Sequence, residues 1–368
     1  MSGFADGSPV TQEPLWNIES HERYRNDLPR PAETALPCCH PSIGPRGMSA
    51  LRRIRFWLPS LLALSAWGVW GVLHGGFGNA SEFWGLSVAM VFGSLIAGTT
   101  PLGGGVVAFP FSSLAYDLPA VVGRDFSLLI QSVGMGVASI TILMRRLDLP
   151  WAMLRVAIPT AVASALVSFF LLAPHIPGLF VKVLFAAITL TAALVLLDQS
   201  RQGPRAARGQ GGNTLAVMML STVGGLIAGF TGTGTDFFVF IAFVALARVD
   251  ERFATAASVL VMAAVSISLT AGLFLGPAPI HPVSLDMWRA CIPVVVFGAP
   301  LGAALCLRLP RTYFLNLLLV VALAQFVAHL WFLESARLWL VTTLIAFLGI
   351  YALIQGKGST RAHLEKVP

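Results

Sequence analysis

Hydrophobic positions in this chain come in long continuous runs, at 56–73, 86–116, 126–144, 154–173, 178–197, 214–247, 253–275, 289–307, 312–332 and 338–355. Most of them hold the roughly 20 apolar residues that one membrane-crossing helix requires. A soluble core has no place for so many such runs. They are continuous rather than alternating, which argues against a β-barrel. The pattern predicts an all-α polytopic membrane protein. Residues 1–50 hold seven prolines and no hydrophobic period, so 1–55 reads as a disordered tail ahead of a first helix at 56–73. Met48 precedes Arg52, Arg53 and Arg55 and then an apolar run. That is the arrangement of a signal-anchor, which makes Met48 an alternative start, and no small-residue cleavage site follows.

Two runs, 86–116 and 214–247, are too long for one straight crossing. Both are interrupted. The first contains Ala97-Gly98-Thr99-Thr100-Pro101-Leu102-Gly103-Gly104-Gly105, and 131 positions later the second contains Ala228-Gly229-Phe230-Thr231-Gly232-Thr233-Gly234-Thr235-Asp236. Glycine and proline break helices, and the freed N–H and C=O groups need new partners. In a bilayer such a break is tolerated only where it is buried in protein or lines a wet cavity. Halved, each run gives pieces of about 15–17 residues, or about 22–25 Å of helix against about 30 Å of hydrocarbon. Each is therefore one broken span or a hairpin that returns to its own side.

The basic residues choose between these, because cytoplasmic loops are enriched in Lys and Arg. Arg23, Arg25, Arg30, Arg46, Arg52, Arg53 and Arg55 put the N-terminus in the cytoplasm, and loop 74–85, with no Lys or Arg, lies outside. With both long runs as hairpins, Arg145, Arg146, Arg155, the Arg201–Arg208 cluster, Arg248, Arg252, Arg308 and Arg311 all fall inside. So does the tail with Lys357, Arg361 and Lys366, whereas the outer loops 174–177 and 276–287 carry no Lys or Arg. Arg124 and Arg337 are the exceptions. The first half (86–197) then starts outside and the second (214–332) starts inside. They are inverted repeats, each a broken-helix hairpin plus three transmembrane helices. A cytoplasmic linker (198–213) joins them, 56–73 and 338–355 add one helix at each end, and 356–368 is a cytoplasmic tail. That makes eight full crossings and two returning hairpins. The register supports the repeat: Ser127 falls opposite Ser258, 131 apart, and Arg155 and Pro159 match Arg289 and Pro293, 134 apart. Matched breaks in two halves are the sequence mark of a transporter's binding site.

The chain of 368 residues is 56% hydrophobic and 11% charged, with a mean hydropathy of +0.78. A net charge of +7 in a soluble chain would point to nucleic acid. Here the basic residues sit in loops, so membrane orientation explains them and no nucleic-acid partner is expected. Cys38, Cys39, Cys291 and Cys306 lack metal-ligand spacing. His74, His175, His281 and His329 are scattered. No metal, cofactor or catalytic constellation is predicted. Without an ATP-binding motif, any transport draws on a gradient.

The stretch Ala-Gly-x-x-Pro-Leu-Gly-Gly-Gly-Val-Val-Ala-Phe-Pro at 97–110 resembles the glycine-rich signature of the TauE/SafE sulfite exporter family. A second copy, Gly225-Leu226-Ile227-Ala228-Gly229-Phe230-Thr231-Gly232-Thr233-Gly234, stands where the family has one. The resemblance covers about 86–335. It implies a carrier of the bacterial inner membrane that moves sulfite, sulfonates or related organosulfur anions, coupled to the proton gradient. Three departures stand out. Pro101 replaces the usual glycine. The second copy ends Gly234-Thr235-Asp236 rather than in a glycine triplet, and it lacks a counterpart of Pro110.

A tetrahedral oxyanion needs donors, which free N–H groups at broken-helix N-termini supply together with the positive end of the helix dipole. The expected site joins Gly98, Thr99, Thr100, Gly103, Gly104 and Gly105 to Gly229, Thr231, Gly232, Thr233, Gly234 and Thr235 near the midplane. The competing reading is small-residue helix packing. Asp236 sits deep in an apolar run, either as the proton-coupling site or as a cap on the broken helix. Ser127, Gln131 and Ser258 face the same cavity or glue helices together. Arg124–Asp125 reads as a surface pair, and Arg155 and Arg289 as snorkelling side chains at span ends. The sequence thus predicts a secondary transporter of a small organosulfur anion, working by alternating access. Its partners are that anion, protons and the lipid bilayer. The alternative is a non-transporting anion sensor or a subunit of a membrane complex.

Overall fold

The computed structural model describes residues 50–73, 76–147, 149–201, 214–246, 249, 251–276, 279–305, 311–332, 337–346 and 348–349. The tail through residue 49 with Met48, the linker from 202 to 213, and residues 350–368 lie outside the described residues. Every regular element among those described is helical. In chain order they are α1 (Ala50–Leu73), a short 3₁₀ turn (Ala80–Phe83), α2 (Trp84–Thr99), α3 (Gly105–Pro110), α4 (Ala120–Met144), α5 (Trp151–Val167), α6 (Gly178–Arg201), α7 (Thr214–Thr231), α8 (Thr235–Ile241), α9 (Glu251–Leu275), α10 (Pro282–Leu305), α11 (Arg311–Phe332) and α12 (Arg337–Ala346). Helix α1 starts six residues before the apolar run it contains.

Eight of these segments are long and apolar enough to cross a membrane. Large apolar side chains face outward around the bundle, Phe92 58% and Trp331 75% exposed among them. Water would not tolerate that surface, whereas lipid does. The chain is a multi-pass membrane protein.

The two long runs break where proline and glycine require it. Thr100 is extended at φ −132°, ψ 156°, the conformation that a following proline imposes. Gly103 then adopts φ +65°, and in the second run Gly232 and Gly234 adopt +78° and +107°, which side chains disfavour. The limbs are unequal rather than halved. The first limbs, α2 and α7, have 16 and 18 residues, and the second limbs run 105–115 and 235–246. Each second limb doubles back along its first. A Cβ on Gly93 of α2 would lie 3.0 Å from Val107 Cβ. One on Gly224 of α7 would lie 3.1 Å from Phe238 Cβ. These contacts stand 131 residues apart. Both second limbs also loosen into π-helical turns, at Phe111–Ala115 and Ala242–Leu246, again at the same offset.

Packing between the elements follows one scheme. Helix α2 lies against α10 and α7 against α5, α4 against α9 and α6 against α11. Small residues permit the closest seams. A Cβ on Gly98 would run into the backbone of α10 at Ala299 O, and one on Gly229 into Ser168. At one level the roles reverse. Ser94 of α2 fills the space beside Gly298 of α10, whereas Ser164 of α5 fills the space beside Gly225 of α7. Gly298→Ser alone should therefore overpack the α2–α10 seam and destabilise the fold by about 1–3 kcal/mol. Adding Ser94→Gly should recover most of that loss in thermal unfolding of the detergent-solubilised protein.

Candidate functional site

The two broken turns meet. A Cβ on Gly103 of the first turn would stand 2.7 Å from Asp236 Oδ2 and 2.8 Å from Gln131 Oε1. One on Gly105 would stand 2.6 Å from Thr233 Cβ and 2.7 Å from Ser127 Oγ. No side chain fits at either position, so the first turn presents bare backbone to the second.

Helix α4 braces the meeting point. Gln131 Nε2 donates to Gly232 O at 2.8 Å and to Ser127 Oγ at 2.8 Å, while Ser127 Oγ donates to Gly232 O at 3.3 Å. Thr233 Oγ1 donates back to Gln131 Oε1 at 3.4 Å. Ser127 and Gln131 are four residues apart, one helical turn, and so share a face. Gln131 ties α4 to the second turn, the helix-joining role of the two weighed for it. Its spacing from Ser127 was the signal available in the sequence.

The other hydroxyls turn inward on their own elements. Thr99 Oγ1 donates to Leu95 O and Ile96 O, and Thr100 Oγ1 to Ile96 O. Thr231 Oγ1 donates to Ile227 O and Thr233 O, and Thr235 Oγ1 to Gly224 O. These threonines tie off the turns, and their protons are committed. Ser258, though buried, donates to Thr255 O within its own helix. Gly98 and Gly229 serve the helix seams. Gly104 sits in ordinary contact with Ala97. The N–H groups of Val107 and Ala108 both turn to Gly104 O, at 3.1 and 3.0 Å. The N–H groups just before them have no acceptor within α3.

Asp236 is completely buried. Oδ1 accepts the Phe237 N–H at 3.1 Å, and Oδ2 has no hydrogen-bond partner. The cap position belongs to Gly234, with Asp236 two residues into α8. The carboxylate thus lies over the start of α8 while its free oxygen points at Gly103. Beside it, a small cavity is lined by Leu102 and Val106, by Phe185 and Thr189 of α6, and by Thr231, Thr233 and Gly234. Arg124 and Asp125 form an ion pair at 2.7 Å with side chains only 12% and 6% exposed, and the guanidinium lies over Phe169. This is a buried pair, not the surface pair expected. Arg155 is exposed, while Arg289 pairs with Asp286 at 2.7 Å and lies over Trp70. No cluster among the described residues could hold a metal ion.

Gln131→Leu should leave Gly232 O with only the Ser127 hydroxyl and strand the Thr233 hydroxyl, costing about 1–3 kcal/mol in thermal unfolding. Ser258→Ala should stay close to wild type.

Comparison with known proteins adds one match. No curated protein and no solved structure matches the chain. A family model, sulfite exporter TauE/SafE, matches residues 85–330. That interval runs from the start of the first hairpin to the end of α11 and takes in both turns. The chain belongs to the TauE/SafE sulfite exporter family of membrane transporters.

Proposed function

We propose that the protein is a secondary transporter of the bacterial inner membrane, with both termini cytoplasmic. It moves sulfite, a sulfonate or a related small organosulfur anion by alternating access, together with protons. Its halves, 86–197 and 214–332, act as inverted repeats. Their matched hairpins and π-turns at an offset of 131, and their matched seams, support that reading.

The observation that carries the proposal is the free oxygen of Asp236 aimed at the bare backbone of the first turn. Gly103, Gly104 and Gly105 offer N–H groups at the start of a broken helix, where an anion binds well. A charged carboxylate aimed at the same backbone repels that anion strongly, because the buried surroundings screen little. A proton on Asp236 removes the repulsion and lets the anion settle against the first turn. Anion and proton then occupy the centre together and cross together. Asp236 thereby takes the coupling role, with its Phe237 contact holding the side chain in place. Gln131 fixes the second turn, and the glycines let the anion approach the backbone.

Proteoliposomes loaded with radiolabelled sulfite, sulfate or a short alkylsulfonate test this directly. Wild-type protein should accumulate sulfite or the sulfonate when a pH gradient is imposed, and Asp236→Asn should abolish the response to the gradient while leaving downhill flux. Flux at the level of empty liposomes for every anion would sink the proposal. Gly103→Ala forces a side chain into a φ +65° position against Asp236. Strain of about 1–3 kcal/mol there should lower flux roughly tenfold or more at unchanged expression, and wild-type flux in this variant would count against a site at the joined turns.

A further inference from the structure

A second polar cluster lies apart from the turns, where α6, α11 and the π-turn at 111–115 come together. Three of its side chains are buried and incompletely satisfied. Ser113 Oγ, both polar atoms of the Gln325 amide, and His329 Nε2 have no hydrogen-bond partner, although Ser113 is 1%, Gln325 5% and His329 0% exposed. Buried polar groups in a membrane bundle are expensive unless paired, and they mark ion and substrate routes. Gln325 and His329 sit one turn apart and buried on α11, which packs chiefly on α6.

The fourth member is Lys182. It is one of three lysines in the chain and the one inside an apolar run. Its Nζ donates to Ser113 O at 3.2 Å, which leaves two N–H donors of the ammonium. Among the described residues it forms no ion pair within 4 Å. It interacts electrostatically with His329 and with the exposed carboxylate of Asp117. The donor and acceptor roles are unequal. His329 Nδ1 donates to Gln325 O at 2.8 Å, since a carbonyl can only accept. In the neutral ring Nε2 is then a lone pair. The cluster offers donors from Lys182, Gln325 Nε2 and Ser113, and acceptors at His329 Nε2 and Gln325 Oε1.

One face of α6 extends from this cluster to the cavity beside the turns. Lys182, Phe185 and Thr189 share one face of α6. Phe185 and Thr189 line the cavity beside Thr231, Thr233 and Gly234. The seven residues from Lys182 to Thr189 span about 10 Å of helix. Phe185, packed on Phe109 with ring centroids 4.4 Å apart, stands between them.

We propose that Lys182, Ser113, Gln325 and His329 form a peripheral binding station for a small oxyanion carrying one proton, from which the ion passes Phe185 to the joined turns. The ammonium, the amide N–H and the serine hydroxyl donate to the anion's oxygens, and its O–H donates to His329 Nε2. One proton is shared between anion and imidazole. A fully deprotonated oxyanion meets the imidazole lone pair instead, as does a phosphodiester headgroup. The station's place on an inward route rests on the transport reading, but its existence does not.

Two measurements test it: equilibrium binding of radiolabelled sulfite to the whole protein in phosphatidylcholine nanodiscs, and concentration dependence of flux in proteoliposomes. Lys182→Gln and Gln325→Leu should each raise the half-saturating sulfite concentration about tenfold, the loss of one charged or polar contact, with maximal flux retained. Lys182→Arg should restore the wild-type value, and unchanged melting temperatures should exclude misfolding. His329→Leu should weaken binding of hydrogensulfite but not of methanesulfonate, which has no proton to give. Unchanged half-saturation in Lys182→Gln and Gln325→Leu overturns the station while leaving transport intact. If the wild type moves no anion yet binds sulfite through Lys182, the station stands and the transport reading falls. If the wild type binds no sulfite, sulfate or methanesulfonate, or if only added phosphatidylglycerol responds to Lys182→Gln, the station falls.

Discussion

A peptide group without a partner is far more costly in hydrocarbon than in water, because nothing in the surroundings can replace the missing hydrogen bond. Two helices of this bundle nonetheless end in a broken turn within apolar sequence, and the chain doubles back. The arrangement around them answers that cost. Gly232 O is taken up by Gln131 and Ser127 from α4. Thr231 bridges its own turn through Thr233 O. Asp236 accepts the Phe237 N–H at the start of α8. The second turn is thus held by α4 and by its own side chains. The breaks are held features of the fold, and the polar atoms left over, Asp236 Oδ2 above all, are the chemistry available at the centre.

Close helix approach makes this possible. Gly98 on α2 lets α10 come to backbone contact, Gly225 does the same for α7 against α5, and Gly229 for α7 against Ser168 and Phe169 just beyond α5. The first limb of each hairpin is therefore clamped along its length by a helix of the opposite half. The second limb is short, loosened into a π-turn, and packed chiefly on its own first limb and on α4 or α9. Packing in a membrane gains little from hydrophobicity, since lipid is as apolar as leucine. Fit and backbone contact must supply it instead, and the glycine content of this chain is spent there.

Much of the fold could be read from the apolar runs, and the two breaks from Pro101 and the glycines. Their meeting could be anticipated from the matched spacing, but their asymmetry could not. Nothing in composition says that the break falls after 16 residues of one limb, since that depends on which glycine takes a positive φ. Threonines in the turns looked like donors for a ligand. Their hydroxyls instead return to backbone carbonyls of their own hairpin, a local competition that the sequence does not resolve. Gln131 was ambiguous because one polar side chain on an apolar helix serves packing or a site equally well until its partner is known. The Arg124–Asp125 pair was misjudged as exposed because adjacent opposite charges at a helix start usually face water, whereas here Phe169 covers them.

The reversed serine and glycine at the two seams bear on ancestry. Suppose the chain arose by doubling a single-half ancestor that assembled in pairs. Two copies of the present first half would bring Ser94 against Ser164, a collision. Two copies of the second would leave Gly225 facing Gly298, a gap. With a serine facing a glycine at both, each seam fits only the partner it has.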